Sequence, residues 1–184
     1  EGGRAHLDLK PVLISHTMSA PATAEYILGA CMPLPLGDGR TVSAPGPEAM
    51  LLAVCVAGAN DAWAKLSSIA DVAALMAAHP EADWVGLLGD AARFGHRRSV
   101  LGGVWIAALL LGCELPAVLR DDTSIDPAAR RLAEEVVERV VRAPGIPVSP
   151  AAQSAFGFRT RERLRDRWRF AIRLLFVPNA VDYG

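Results

Sequence analysis

Cysteine is scarce: Cys31, Cys55 and Cys113 are the three in 184 residues. They are odd in number, far apart and set in apolar surroundings, which excludes a disulfide framework and a zinc knuckle. A reducing cytoplasm is the expected compartment. Net charge is nearly absent, at −1, so the surface as a whole is not built to meet nucleic acid or anionic lipid. No apolar run reaches the roughly 20 residues that a membrane-spanning helix needs. The most apolar run, "VLGGVWIAALLLGC" from Val100 to Cys113, is 14 residues long and reads as a buried helix. There is no secretory signal at the start, "EGGRAHLDLK", and no opening Met, so a preceding segment is expected. Ser-His-Asp order, a nucleophile elbow, a phosphate loop, a dinucleotide fingerprint and internal repeats are likewise missing.

What is present is a folding composition, 52% hydrophobic and 21% charged. The charge is unevenly placed. Residues 159–173 carry seven arginines against Glu162 and Asp166, a local +5, which leaves −6 for the rest.

Residues 5–14, "AHLDLKPVLI", alternate apolar and polar up to Pro11 and read as a strand. A short helix is expected over 22–28, and a hairpin around Asp38-Gly39. From Pro47 onward the pattern is helical, over 46–58, 62–78, 83–94, 97–112, 127–142 and 160–176. Asp126-Pro127 marks a helix start, a capping residue followed by proline at the first helical position. The expected fold is therefore mainly α, with a short N-terminal strand and hairpin leading into about six helices. The expected units are a β portion at 1–45, a helical domain at 46–143, an irregular Pro-rich connection at 144–158, and a basic amphipathic helix at 159–184 that packs back.

Three stretches carry the residue types that chemistry needs. In "AGANDAWAKLSSIADVAALM", residues 57–76, Trp63, Leu66, Ile69, Ala70, Ala73 and Met76 recur at helical spacing. Asn60 or Asp61 is a candidate cap, and Asp61 can pair with Lys65 four residues on. One reading is a capped helix on a core. The other is a helix start that meets a phosphate, with Lys65 neutralising it.

In "HLDLK", a strand puts His6, Asp8 and Lys10 on one face. Asp8 is a candidate hard-oxygen ligand for Mg²⁺, although a two-metal centre needs further carboxylates. The alternative is a half-exposed strand with a solvated face. In "RTRERLRDRWRFAIRLLF", residues 159–176, Leu164, Trp168, Ala171, Ile172, Leu175 and Phe176 form the expected inward stripe. The arginines either lie on a solvated face or meet phosphate or RNA. His79 and His96 are expected at helix ends, where a partly positive imidazole suits the dipole. Arg97 and Arg98 beside His96 offer a modest anion site.

The segments "PEAMLLAVCVAGANDAWAKLSSIADVAALM", "DWVGLLGDAARFGHRRSVLGGVWIAALLLGCELP" and "RTRERLRDRWRFAIRLLFVP" resemble the C-terminal two thirds of the uncharacterised nucleotidyltransferase family of bacteria, within the nucleotidyltransferase-fold superfamily. The resemblance implies an α+β protein once an upstream catalytic half is included. It implies Mg²⁺-dependent transfer of a nucleotidyl group from an NTP to an unknown acceptor, with Asp8 as the third metal carboxylate after an upstream Asp-x-Asp. Gly58, Ala59, Trp63, Leu66 and Asp71 agree with the family pattern. Ala57, Asn60 and Asp61 stand where it has histidine, lysine and histidine, and Lys10 replaces its strand histidine.

The implied substrate contacts are Lys10, Asn60, Asp61, Trp63 and Lys65, and the implied phosphate contacts Arg97, Arg98, Arg165 and Arg169. Expected partners are the NTP, its acceptor and the upstream half. No membrane is expected, and nucleic acid only in a weaker reading, as an RNA-binding use of the last helix. The altered positions also leave open a non-catalytic helical module that binds a partner protein or peptide in a biosynthetic cluster.

Overall fold

The computed structural model describes residues 21–115, 118–120 and 126–176. The protein is mainly helical, with one short antiparallel hairpin near its beginning. Helix α1 (Pro21–Gly29) leads into β1 (Cys31–Pro35) and β2 (Thr41–Pro45), paired from Cys31 with Pro45 to Pro35 with Thr41. Gly39 supplies the positive φ, 79°, that the expected turn requires. Met32, Leu34 and Val42 are exposed, so the hairpin lies outside the core. The strand expected at residues 5–14 lies outside the described residues.

Then come α2 (Pro47–Asn60), α3 (Leu66–Ala78), α4 (Trp84–Phe94), α5 (Arg97–Leu111), α6 (Pro127–Arg142), α7 (Pro150–Thr160) and α8 (Leu164–Phe176). Local chemistry sets their ends. The Asp83 carboxylate accepts from the Gly86 N–H at 2.9 Å and starts α4. Asp126 accepts from the Ala128 and Ala129 N–H groups at 3.0 and 3.2 Å and starts α6, as its Asp-Pro signature predicts.

Helix α5 is the centre. Val100, Leu101, Val104, Ile106 and Ala107 are buried, and α2, α3, α4 and α6 all pack on it. Its near-continuous apolar sequence is thus explained by neighbours on several sides. Among the described residues no helix is long and apolar enough to cross a membrane.

Several expectations need correction. The helix expected from residue 62 begins at Leu66, and 61–65 form a turn, because the backbone at Ala62 and Trp63 is left-handed, φ 51° and 55°. Its inward stripe is Ile69, Val72 and Met76, while Leu66 and Ala70 are exposed.

The irregular connection expected over 144–158 ends at Ser149. The Ser149 hydroxyl accepts from the Ala152 N–H at 3.3 Å with Pro150 at the first helical position, and α7 follows, packed on α2. Thr160 closes α7 rather than opening the next helix, its hydroxyl donating to the Gly157 carbonyl at 2.9 Å.

On α8, Leu164, Trp168 and Ile172 face outward, at 71%, 69% and 51% exposure. Phe170 is the buried anchor, under the Arg161 guanidinium at 3.7 Å from the ring centroid. With Phe170 inward and covered by that cation–π contact, the Leu164, Trp168 and Ile172 part of the expected stripe meets solvent.

His96 follows the Gly95 cap that ends α4, its N–H donating to the Ala91 carbonyl at 2.7 Å, but its imidazole is not the partly positive group expected there. It stands at the start of α5, where a cation opposes the dipole. Burial, chiefly, with the nearby Arg161 charge, pushes its pKa down to about 4; Asp166 opposes that shift. Below pH 6.5 the unfolded chain takes up a proton that folded His96 refuses. Stability is therefore expected to fall as pH drops from 6.5 to about 4, by up to about 3 kcal/mol. Burial raises the Glu162 pKa, which acts with the opposite sign above pH 4.5. Urea unfolding of the wild type and His96→Gln across this range isolates the histidine: the variant should lose the acid-side slope.

Candidate functional site

The turn between α2 and α3 carries four of the residues singled out in the sequence, Asn60, Asp61, Trp63 and Lys65. It is rigid for identifiable reasons. The Trp63 N–H donates to the Gly58 carbonyl at 2.7 Å and the Asp61 N–H to the Ala57 carbonyl at 3.1 Å, closing the end of α2.

The Trp63 ring is 2% exposed and lies against Gly58 and Gly103. A methyl group at either glycine would stand 2.5 or 2.7 Å from a ring atom, closer than packed carbons approach. From the far side of the bundle, Arg139 on α6 donates to the Ala62 carbonyl at 2.5 Å and to the Trp63 carbonyl at 3.3 Å. A guanidinium thus satisfies the two carbonyls that the left-handed turn leaves outside helix hydrogen bonding.

Around this anchored turn the polar groups face out. Lys65 pairs with Asp61 at 3.6 Å, with side chains 69% and 49% exposed. Neither Asn60 nor Asp61 caps α3, which starts at Lys65 without a side-chain cap.

The arginines expected to hold phosphate are elsewhere. Arg98, at the start of α5, pairs with Asp126 at 3.0 Å and donates to the Arg159 carbonyl at 3.1 Å. Its backbone N–H donates to the Glu162 carboxylate. Arg97 is half-buried beside it. Arg165 is exposed, 3.9 Å from Asp166. Arg169 lies on α8.

Thirteen residues of α6 separate Asp126, which holds Arg98, from Arg139, which holds the turn. At 1.5 Å per residue that is about 20 Å. The turn and Arg98 therefore lie toward opposite ends of α6.

The basic segment is largely engaged in joining helices. Arg159 grips Glu135 with two bonds of 2.6 Å, which holds that carboxyl below its ordinary pKa. Arg163 donates to the Ala92 carbonyl at 2.8 Å, and Arg167 to the Arg161 carbonyl at 2.8 Å. Sequence reading did not single out Arg139, because its partner carbonyls lie 77 and 76 residues earlier and no local pattern announces the contact.

Asp8 and Lys10 lie outside the described residues. Among the described residues no three His, Cys, Asp or Glu side chains converge to hold a metal.

No curated protein and no solved structure matches the chain. A family model described as "Uncharacterised nucleotidyltransferase" matches residues 1–112, which run from the start of the chain through α5 and include the anchored turn. The chain belongs to this uncharacterised nucleotidyltransferase family.

Proposed function

We propose that the chain serves Mg²⁺-dependent transfer of a nucleotidyl group from an NTP to an acceptor, with the helical bundle presenting its α2–α3 turn to substrate. The observation that carries this reading is the family match over residues 1–112. In it Asp8 is the metal-side carboxylate and Lys10 a neighbouring cation.

Trp63 acts as an anchor, since a ring 2% exposed has no face left for a ligand. Lys65 is the phosphate contact. Its pair with Asp61 is solvent-exposed and worth under about 1 kcal/mol, so a triphosphate can displace the carboxylate.

The test is NTP binding by the protein made from its full reading frame, with and without Mg²⁺. Asp8→Ala is expected to abolish the Mg²⁺-dependent part, and Lys65→Ala to weaken binding about tenfold, as for one charge-assisted contact. Mg²⁺-dependent binding untouched by Asp8→Ala would show the site assignment to be wrong.

A second reading, a non-catalytic module for a partner protein or peptide, is favoured by Ala57, Asn60 and Asp61 standing where the family pattern has cations. A folded full-length protein that binds no NTP at millimolar concentration would decide for it.

A further inference from the structure

Residues of α5, α6, α7 and α8 line an open groove with a volume of about 210 Å³, all but Arg98 from beyond residue 112, where the family match ends. Four arginines line it: Arg98, Arg131, Arg159 and Arg167. Leu132 and Phe158 supply its apolar wall.

Two of the four charges are already compensated, Arg98 by Asp126 at 3.0 Å and Arg159 by Glu135 at 2.6 Å. The other two are not. Arg131 is exposed and has no charged partner among the described residues. Arg167 uses its Nε on the Arg161 carbonyl and lies 5.6 Å from the Phe158 ring centre, with no carboxylate paired to it among the described residues. Among the described residues the groove thus carries an uncompensated charge of two beside an aromatic wall.

We infer that this groove binds a small organic phosphate monoester, its phosphoryl group between Arg131 and Arg167 and its apolar body on Phe158. Three physical matches select this ligand class. A phosphate monoester carries about −1.5 to −2 at neutral pH, which balances the two free guanidiniums. Planar guanidinium forks suit phosphate oxygens. Seen against the 300 Å³ or so at which drug-sized pockets begin, the volume suits a compact ester. The site is separate from the α2–α3 turn, so this inference and the nucleotidyl-transfer reading stand or fall independently.

Titration calorimetry of the 184-residue chain with phenyl phosphate, inorganic phosphate and phenol tests it. Phenyl phosphate should bind about tenfold tighter than inorganic phosphate, and phenol should not bind. Arg131→Gln and Arg167→Gln should each weaken phenyl phosphate at least tenfold, with circular dichroism and thermal midpoint confirming the fold. Phe158→Ala should remove the preference for the phenyl ester while leaving inorganic phosphate binding unchanged. No phosphate binding by the wild type, or binding that survives in the folded Arg131→Gln/Arg167→Gln double variant, would overturn the inference.

Discussion

Trp63→Ala is expected to destabilise the protein by about 4 kcal/mol, as for a fully buried large aromatic replaced by a methyl group. Against a total stability of about 5–15 kcal/mol, that is a large share. The ring is 2% exposed and fills the space between α2 and α5 that Gly58 and Gly103 leave open. Deleting it leaves a void bounded by backbone on two sides, which collapses poorly. It also removes the packing that holds Ala62 and Trp63 in left-handed conformations, each costing about 1–2 kcal/mol.

Adding volume should also hurt. Gly58→Ala or Gly103→Ala pushes a methyl group into the indole and is expected to cost about 1–3 kcal/mol. The check is the urea midpoint at constant slope, with Trp63→Phe recovering part of the loss. A Trp63→Ala protein of unchanged stability but impaired ligand binding would mean that the ring contacts substrate and that its buried position is wrong.

The same turn shows what the sequence could and could not reveal. Helices announced by a capping residue and proline, such as Asp126-Pro127, lie where the pattern places them. Ser149-Pro150 carries the same signal, but three prolines and a glycine around it gave the segment the look of a linker, and α7 was hidden by them. Periodicity alone placed Trp63 in the core correctly but misread Leu66 and Ala70, because a left-handed turn resets the phase of the helix that follows.

On α8 the apolar stripe was legible but its direction was not. Which face turns inward depends on Arg161 covering Phe170, a contact that residue spacing does not encode. The family was legible, since whole segments resemble it, and the match over residues 1–112 bears that out. The candidate site was legible only as a set of residue types. That Asn60, Asp61 and Lys65 share one end of α6 while Arg98 sits at the other follows from tertiary packing through Arg139 and Asp126, each bonded to a distant element.

Asp126→Ala is expected to cost about 4 kcal/mol, which would make one carboxylate as important as the buried tryptophan. The residue does two jobs with two oxygens. Oδ1 accepts from the Ala128 and Ala129 N–H groups and caps α6, a contribution of about 1 kcal/mol. Oδ2 holds Arg98 at 3.0 Å, with the two side chains only 14% and 18% exposed. Removing the carboxylate strands a largely buried guanidinium, which costs about 3 kcal/mol even though the Arg159 carbonyl still accepts one bond from it.

The jobs can be separated. Asp126→Asn keeps a good capping group and loses the charge, so it should be about 1 kcal/mol less damaging than Asp126→Ala. In the double variant Arg98→Ala/Asp126→Ala no charge is left stranded, so the loss should be smaller than the sum of the single losses by about 2 kcal/mol. Urea unfolding of the four proteins in this cycle measures that difference directly. Strict additivity would mean that Arg98 and Asp126 do not stabilise each other and that Arg98 is available to an anionic ligand instead.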